Sequence, residues 1–214
     1  MRLHLAALTA AFTLAAGPLH AQVTVTFLNG GSVVADGYYV GPYSGTIGTP
    51  PQAVTLNCVD FLHHVTNGET WSAFLTSVSN VGTASSHARS TDQVSYEKAA
   101  WLISQYPGKT TAQIGDIQET IWNLFASAAP DPSSSTWLTQ ANASYASSGL
   151  NFNDWYVVTD TRAGGNYDAQ SAQEFLIHVT STPEPASMTL LATGLIGIFG
   201  AARRKRILAA RGEA

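Results

Sequence analysis

An uncharged apolar run near the C-terminus, residues 186–202, places the strongest limit on how this chain can be arranged. As an α-helix its 17 residues would be about 26 Å long, slightly short of the roughly 30 Å hydrocarbon core of a bilayer. The basic cluster Arg203–Arg206 follows, and basic residues tend to stay on the cytoplasmic side of a membrane. The run therefore predicts one C-terminal transmembrane helix, with the preceding domain outside and residues 207–214 as a cytoplasmic tail.

The triplet Pro183-Glu184-Pro185 stands directly before this run. A Pro-Glu-Pro triplet, a short apolar segment and an arginine-rich end, in that order, resemble the PEP-CTERM sorting signal of exported bacterial proteins, here over residues 181–206. The resemblance implies recognition by an exosortase, a membrane transpeptidase, with cleavage near the triplet. It also implies a Gram-negative source with an exopolysaccharide system. The alternative is an ordinary membrane anchor, which has no need of the triplet.

The N-terminus has the pattern of a secretory signal peptide. Met1-Arg2 is a short basic start, an apolar stretch of Leu and Ala extends to Ala16, and a small residue, Ala21, stands at the expected cleavage site. Residues 1–21 are therefore predicted to be removed, which leaves Gln22 as the first residue of an exported protein.

Removing both ends changes the charge balance. Of the chain's 10 Lys and Arg residues only 4 lie within 22–185, whereas 13 of its 14 Asp and Glu residues do, so this part carries a net charge of −9. Nucleic-acid binding requires clustered basic residues and is not expected here. Residues 22–180 are long enough for one globular domain with its own core.

Hydrophobic periodicity predicts an α+β fold, with strands in a sandwich or barrel-like arrangement flanking a central block of two to three helices. The predicted strands are Val23–Leu28, Ser32–Val40, Ala53–His63, Glu69–Val78, Trp155–Thr159 and Glu174–Thr180. The predicted helices are Ser95–Tyr106, Thr110–Ala128 and Thr136–Ser147. The Gly- and Pro-containing segment Gly41–Pro51 is predicted to be a loop.

Cys58 is the only cysteine, so an exported chain of this sequence cannot form an internal disulfide. A lone cysteine of this kind forms a bond to another chain, acts as a reactive thiol, or is buried and inert. Alternation of apolar residues around Cys58 indicates a strand whose core face carries the thiol.

Gln118 is the second unusual residue. It lies beside the apolar face of the second predicted helix, whose start is marked by a capping box of Thr110 and Gln113. A buried carboxamide without partners costs about 1–3 kcal/mol, so Gln118 either has nearby backbone partners or a special role.

Taken together, the segments Asn57-Cys58-Val59-Asp60 and Gln118-Glu119-Thr120-Ile121-Trp122 resemble the thioester domain of bacterial surface adhesins. That resemblance covers roughly residues 56–125. It implies that Cys58 and Gln118 condense with loss of ammonia to form an internal thioester. The family motif is Thr-Gln-x-Ala-Ile-Trp, and here Ile117 and Thr120 replace its Thr and Ala.

The resemblance also implies a mechanism of covalent capture. An amine or hydroxyl of a surface partner attacks the carbonyl of residue 118, and Cys58 leaves as a thiol. Trp122, Trp101 and Phe61 are expected to keep water away from the bond. An inert buried Cys and Gln are the alternative.

Three functions remain open at this point. The first is covalent attachment through Cys58 and Gln118, and the second is a non-reactive structural or carbohydrate-binding component of an extracellular matrix. For the second, Trp71, Trp137 and Trp155 are candidate sugar platforms, although a place in the core fits them better. The third is a hydrolase, ranked last because no catalytic constellation stands out. We therefore expect no enzyme activity, cofactor or metal.

Overall fold

The computed structural model describes residues 22–166 and 168–179. In chain order the strands are β1 (Gln22–Asn29), β2 (Val34–Ala35), β3 (Tyr38–Tyr39), β4 (Pro42–Ile47), β5 (Gln52–Cys58), β6 (Thr70–Ser77), β7 (Trp155–Asp160) and β8 (Phe175–His178). The α-helices are α1 (Gln93–Ile103), α2 (Thr111–Asn123) and α3 (Thr136–Ser144). Within the described part, six strands close into an antiparallel barrel in the order β1-β4-β5-β8-β7-β6, while β2 and β3 form a separate hairpin.

The barrel interior is filled by aromatic side chains around Phe175. Its ring stacks on Phe27 and Trp71, at centroid distances of 6.3 and 6.0 Å, and meets Tyr43 edge-on at 6.3 Å. Such large rings bury much apolar surface in a small barrel and leave no room for a channel. Cys58 pairs with Phe175 across β5 and β8 and belongs to the same interior cluster.

The helices cover the outer face of the barrel at β7 and β8. Val157 and Leu176 point outward there and pack in one cluster with Leu102, Ile117 and Ile121 of the helices. These two strands are therefore buried on both faces, which explains why Phe175-Leu176-Ile177 is a continuous apolar run without alternation.

The hairpin β2–β3 packs directly on α2. Its two-residue turn is Asp36-Gly37, with φ angles of 47° and 84°, which is the conformation that Asp-Gly favours in tight hairpins. A Cβ on Gly115 of α2 would lie 2.8 Å from the Cβ of Ala35, so glycine is required for this close approach.

The predicted α+β class is confirmed, and of the two strand arrangements expected the structure has the barrel. Two predictions of local structure are wrong. Ser32–Val40 is not one strand but the hairpin, because the Asp-Gly turn divides it. The predicted loop Gly41–Pro51 contains β4, in which Gly45 serves packing rather than a turn: a Cβ there would lie 2.5 Å from Leu56 Cδ1.

The predicted cysteine strand also ends earlier than expected, at Cys58 instead of His63. The side chain of Asp60 accepts hydrogen bonds from the backbone N–H groups of Leu62 and His63, at 3.0 and 3.3 Å, which turns the chain away from the sheet.

The signal peptide 1–21, the triplet 183–185, the apolar segment 186–202 and the tail 207–214 lie outside the described residues. Over residues 22–166 and 168–179, none of the helices is long and apolar enough to cross a membrane.

Candidate functional site

Cys58 is the last residue of β5, and its side chain is fully buried. Burial raises the pKa of the thiol to about 12, so the sulfur is protonated at neutral pH. The thiol donates to the backbone carbonyl oxygen of Asp60 at 3.2 Å. The indole Nε1 of Trp122 in turn donates to Cys58 Sγ at 3.4 Å. The sulfur therefore has one acceptor and one donor and lies out of contact with water.

The carboxamide of Gln118 lies against the backbone of the same cysteine. Gln118 is fully buried, and its Nε2 donates to the carbonyl oxygen of Cys58 at 2.8 Å. Its Oε1 accepts a hydrogen bond from the hydroxyl of Tyr106, also at 2.8 Å. The two residues paired by the sequence analysis are thus in contact, although 60 positions separate them in the chain.

Tyr106 supplies a neutral hydrogen-bond donor to this group. Burial raises the pKa of its hydroxyl, with a further contribution from neighbouring Cys58, so the hydroxyl stays protonated. Sequence patterning did not single out this residue as part of the site. Cys58, Gln118, Tyr106 and Trp122 are called the cysteine–glutamine cluster below.

Helix α2 places Gln118 in its third turn. The predicted capping box is present: Thr110 Oγ1 accepts from the N–H of Gln113, and Gln113 Oε1 accepts from the N–H of Thr110. Ile117 and Ile121 are fully buried against the barrel, and this fixes the rotation of the helix so that Gln118 points inward beside them.

Aromatic side chains cover the cysteine–glutamine cluster on one side. The Trp122 ring packs against Phe61 at 5.2 Å, and Tyr38 of the hairpin meets both, at 5.1 Å from Phe61 and 6.0 Å from Trp122. Trp122 and Phe61 therefore both belong to this aromatic cover. Trp101 belongs to the cluster between the helices and the outer barrel face, away from the group that contains Cys58 and Trp122.

A pocket of about 240 Å³ opens in front of this cover. It lies between the hairpin and the segment that follows β5. Its lining is rich in aromatic side chains and also includes two side-chain amides and a histidine; the residues used below are Tyr38, Tyr39, Phe61, Trp122, His64, Asn67 and Gln173. We call it the aromatic pocket.

A second polar group begins two residues after Cys58 and is charged. Asp60 Oδ2 lies 3.2 Å from Arg89 Nε and 2.7 Å from His63 Nδ1, while Arg89 Nη1 donates to Asp168 Oδ1 at 2.6 Å. Glu174 joins them through the backbone N–H of Arg89, which donates to its Oε1 at 2.9 Å. Asp60, His63, Arg89, Asp168 and Glu174 are called the Arg89 cluster below.

Glu174 is the most buried acid of that cluster, and burial raises its pKa. The hydroxyl of Thr159 donates to its Oε1 at 2.7 Å, and the hydroxyl of Tyr96 donates to its Oε2. In the part of the chain that the structure describes, no set of three or more His, Cys, Asp or Glu residues is arranged to hold a metal ion. Through the Asp60–Arg89 ion pair and the hydrogen bonds of Glu174 to Arg89 and Tyr96, the Arg89 cluster connects the loops around residues 60 and 89 to the start of β8 and to α1.

Comparison with protein families finds a match in the C-terminal segment of the chain. The PEP-CTERM protein-sorting motif matches residues 181–205. The chain carries a PEP-CTERM sorting motif. The motif indicates an exported protein that is sorted to the cell envelope or surface, and it implies recognition by an exosortase. The residues Pro183, Glu184 and Pro185 predicted for sorting lie within the matched segment.

The sorting motif covers 25 residues and does not extend to the barrel. No curated protein and no solved structure matches the chain. The resemblance to thioester domains therefore has no support from these comparisons, and the case for the cysteine–glutamine cluster depends on its geometry.

Proposed function

We propose that this protein attaches covalently to a surface partner through a thioester between Cys58 Sγ and Gln118 Cδ, after export and exosortase-dependent sorting. Before the sorting motif is cleaved, the apolar segment 186–202 would hold the domain at the outer side of the inner membrane. The observation that carries the proposal is the 2.8 Å hydrogen bond from Gln118 Nε2 to the backbone carbonyl oxygen of Cys58, which brings together two residues whose side chains are both fully buried.

Formation of the bond needs only these two side chains. The Cys58 sulfur attacks Gln118 Cδ, a C–S bond forms, the C–N bond breaks, and the amide nitrogen leaves as ammonia with the thiol proton. The negative charge that develops on Gln118 Oε1 is stabilised by the Tyr106 hydroxyl, which already donates to that atom at 2.8 Å. The Trp122 N–H stabilises charge on the sulfur in the same way. With the pKa of Cys58 at about 12 the thiolate is scarce, but a bond that forms once per molecule tolerates slow attack.

Capture of the partner is the second step. A partner amine or hydroxyl attacks the carbonyl of residue 118, the C–S bond breaks, and Cys58 regains a proton. The partner is then linked through an amide or an ester. Phe61, Tyr38 and Trp122 shield the bond from water until a nucleophile is positioned, and the cover must move to admit one.

A second candidate function is a non-reactive component of the cell surface or extracellular matrix. One observation favours it: both polar atoms of the Gln118 carboxamide already have hydrogen-bond partners. A buried glutamine so paired is stable without any covalent bond.

The intact mass of the folded protein separates the two candidates. We expect the wild-type protein to be lighter than its processed sequence by one ammonia. Methylamine should add covalently, restore a free thiol and make Cys58 reactive toward iodoacetamide after unfolding. Denaturation before methylamine treatment should hydrolyse the bond.

Two variants serve as controls. Cys58→Ala removes the nucleophile, and Gln118→Glu preserves the shape of the side chain but replaces a leaving ammonia with a poor leaving group. Neither variant should lose mass or take up methylamine. A wild-type protein that has the full mass of its processed sequence before any unfolding, and that takes up no methylamine, would leave the second candidate in its place.

A further inference from the structure

The thioester proposal uses Tyr38, Phe61 and Trp122 only as a cover and does not account for the open pocket in front of them. Tyr38 and Tyr39 project from the β2–β3 hairpin with 41% and 61% of their surface exposed. Elsewhere in the domain the large aromatic residues that the sequence analysis considered as sugar platforms are buried: Trp71, Trp137 and Trp155 are 5%, 7% and 4% exposed. Exposed tyrosines on a tight hairpin, facing a concave wall, are an arrangement that core packing does not require.

The polar groups of the pocket are neutral amides and an imidazole. Among the residues that the structure describes, the side chains of His64 and Asn67 have no hydrogen-bond partner. Gln173 uses its Nε2 to donate to the carbonyl oxygen of Asp60 at 3.2 Å, which leaves its Oε1 available as an acceptor. No carboxylate, lysine or arginine lies among the described residues that line the pocket.

We propose that the aromatic pocket binds one ring of a neutral saccharide. The C–H faces of a sugar ring are apolar and pack on aromatic faces, which Tyr38, Tyr39 and Phe61 provide. Its hydroxyl groups both donate and accept, and Asn67, Gln173 and His64 can serve them at the rim. The volume of about 240 Å³ is below the range of sites for drug-sized ligands and suits a single ring of a longer chain.

The lining disfavours other classes of ligand. A lysine side chain would be held best by a carboxylate, and the described lining of the pocket contains no carboxylate. An acidic saccharide or a phosphate would be held best by arginine or lysine, which this lining also lacks. A purely apolar peptide would leave the amide groups of Asn67 and Gln173 without partners on burial. This inference gives the second candidate function a specific site. It is compatible with the first, because Trp122 belongs both to the pocket and to the cysteine–glutamine cluster.

Calorimetry on the full chain carrying Cys58→Ala tests the inference, because that variant cannot form a thioester. The protein is kept in a zwitterionic detergent without a sugar headgroup. It is titrated with cellohexaose, maltohexaose, laminarihexaose and mannohexaose, and in parallel with an alginate oligosaccharide and a lysine-rich peptide. We expect saturable binding of at least one neutral hexasaccharide and none of the two charged ligands.

Two substitutions locate the binding. Tyr39→Ala removes the most exposed ring and should weaken the affinity by roughly tenfold or more. Tyr145→Ala, which removes a tyrosine that contacts Lys98 away from the pocket, should leave it unchanged. Failure of all four saccharides at millimolar concentration, binding that Tyr39→Ala does not affect, or preferential binding of the peptide would overturn the inference. The mass and methylamine results on the wild-type protein would be unaffected by any of these outcomes.

Discussion

The cysteine–glutamine cluster and the Arg89 cluster begin on either side of Val59. The first consists of neutral hydrogen-bonding groups, whereas the second consists mainly of charged groups. The first joins neutral groups through hydrogen bonds from a hydroxyl, an indole and a carboxamide. The second joins three carboxylates, a histidine and one arginine, and it extends from buried Glu174 to Asp168, whose side chain is 39% exposed. The end of β5 at Cys58 thus belongs to a buried neutral site, and Asp60, two residues later, belongs to a charged one.

The difference has a physical reason. Burying a charge is costly unless it is paired and hydrogen-bonded, and most of the Arg89 cluster accordingly lies where loops reach the surface. A carboxamide and a thiol can be buried completely, since each needs only a few hydrogen bonds. A bond that water can hydrolyse, such as the proposed thioester, is best surrounded by neutral groups. The charged cluster is suited instead to holding loops in place.

Removal of the arginine should give the largest effect on stability. Arg89→Met leaves Asp60 and Asp168 without their arginine partner, and Asp60 is only 7% exposed. We expect a loss of about 3 kcal/mol in the free energy of unfolding, measured by urea denaturation. Lys98→Met, the same kind of change on α1 where the ammonium group lies over the Tyr145 ring, should cost less than about 0.5 kcal/mol. Equal losses in the two variants would mean that the Arg89 cluster contributes no special stability.

Loss of one neutral hydrogen bond should cost less. Tyr106→Phe leaves Gln118 Oε1 buried without its donor, at a cost of about 1–2 kcal/mol by the same urea method. If a thioester forms, this variant should also incorporate methylamine more slowly than the wild type, because it lacks the group that stabilises charge on that oxygen. Tyr43→Phe, which removes a hydroxyl that donates to the carbonyl oxygen of Tyr39 at 2.6 Å, is the matched control and should not slow incorporation.

The sequence was informative about one of these clusters and not about the other. A single cysteine in an exported chain and a glutamine beside an apolar helix face are conspicuous, and in the structure the Gln118 carboxamide donates to the backbone carbonyl oxygen of Cys58. Tyr106 was not found, because it follows the end of α1 and no periodicity marks it. Arg89 was not found either: its partner Asp168 is 79 residues away, and only the closed barrel brings the two loops together.

In the fold, too, some features could be predicted from the sequence and others could not. The α+β class and the capping box of α2 follow from local patterns, which sequence reasoning reads well. Strand β4 was missed because Pro42 and Gly45 are typical of a loop. Gly45 is instead explained by contact with Leu56 of the neighbouring strand, which no local pattern contains.

The smallest expected effect concerns how far the neutral surroundings of Gln118 extend along α2. The next residue, Glu119, is only 4% exposed, and burial, helped by Asp36 and Asp116, raises its pKa to about 7. Its carboxyl group is therefore more easily protonated in the folded state than in the unfolded chain, so the stability it contributes is full below about pH 4.5 and is lost as the pH rises through 7. Glu119→Gln stays neutral and should be more stable than the wild type at pH 8 by about 1 kcal/mol, since exposed Asp36 is screened by solvent. At pH 4 the two proteins should differ little.

Thermal or urea unfolding at both pH values measures the change, with Glu97→Gln on α1 as the control for losing one carboxylate. A Glu119→Gln protein whose stability follows the wild type at both pH values would mean that the carboxylate is hydrated, and that the neutral region ends at Gln118.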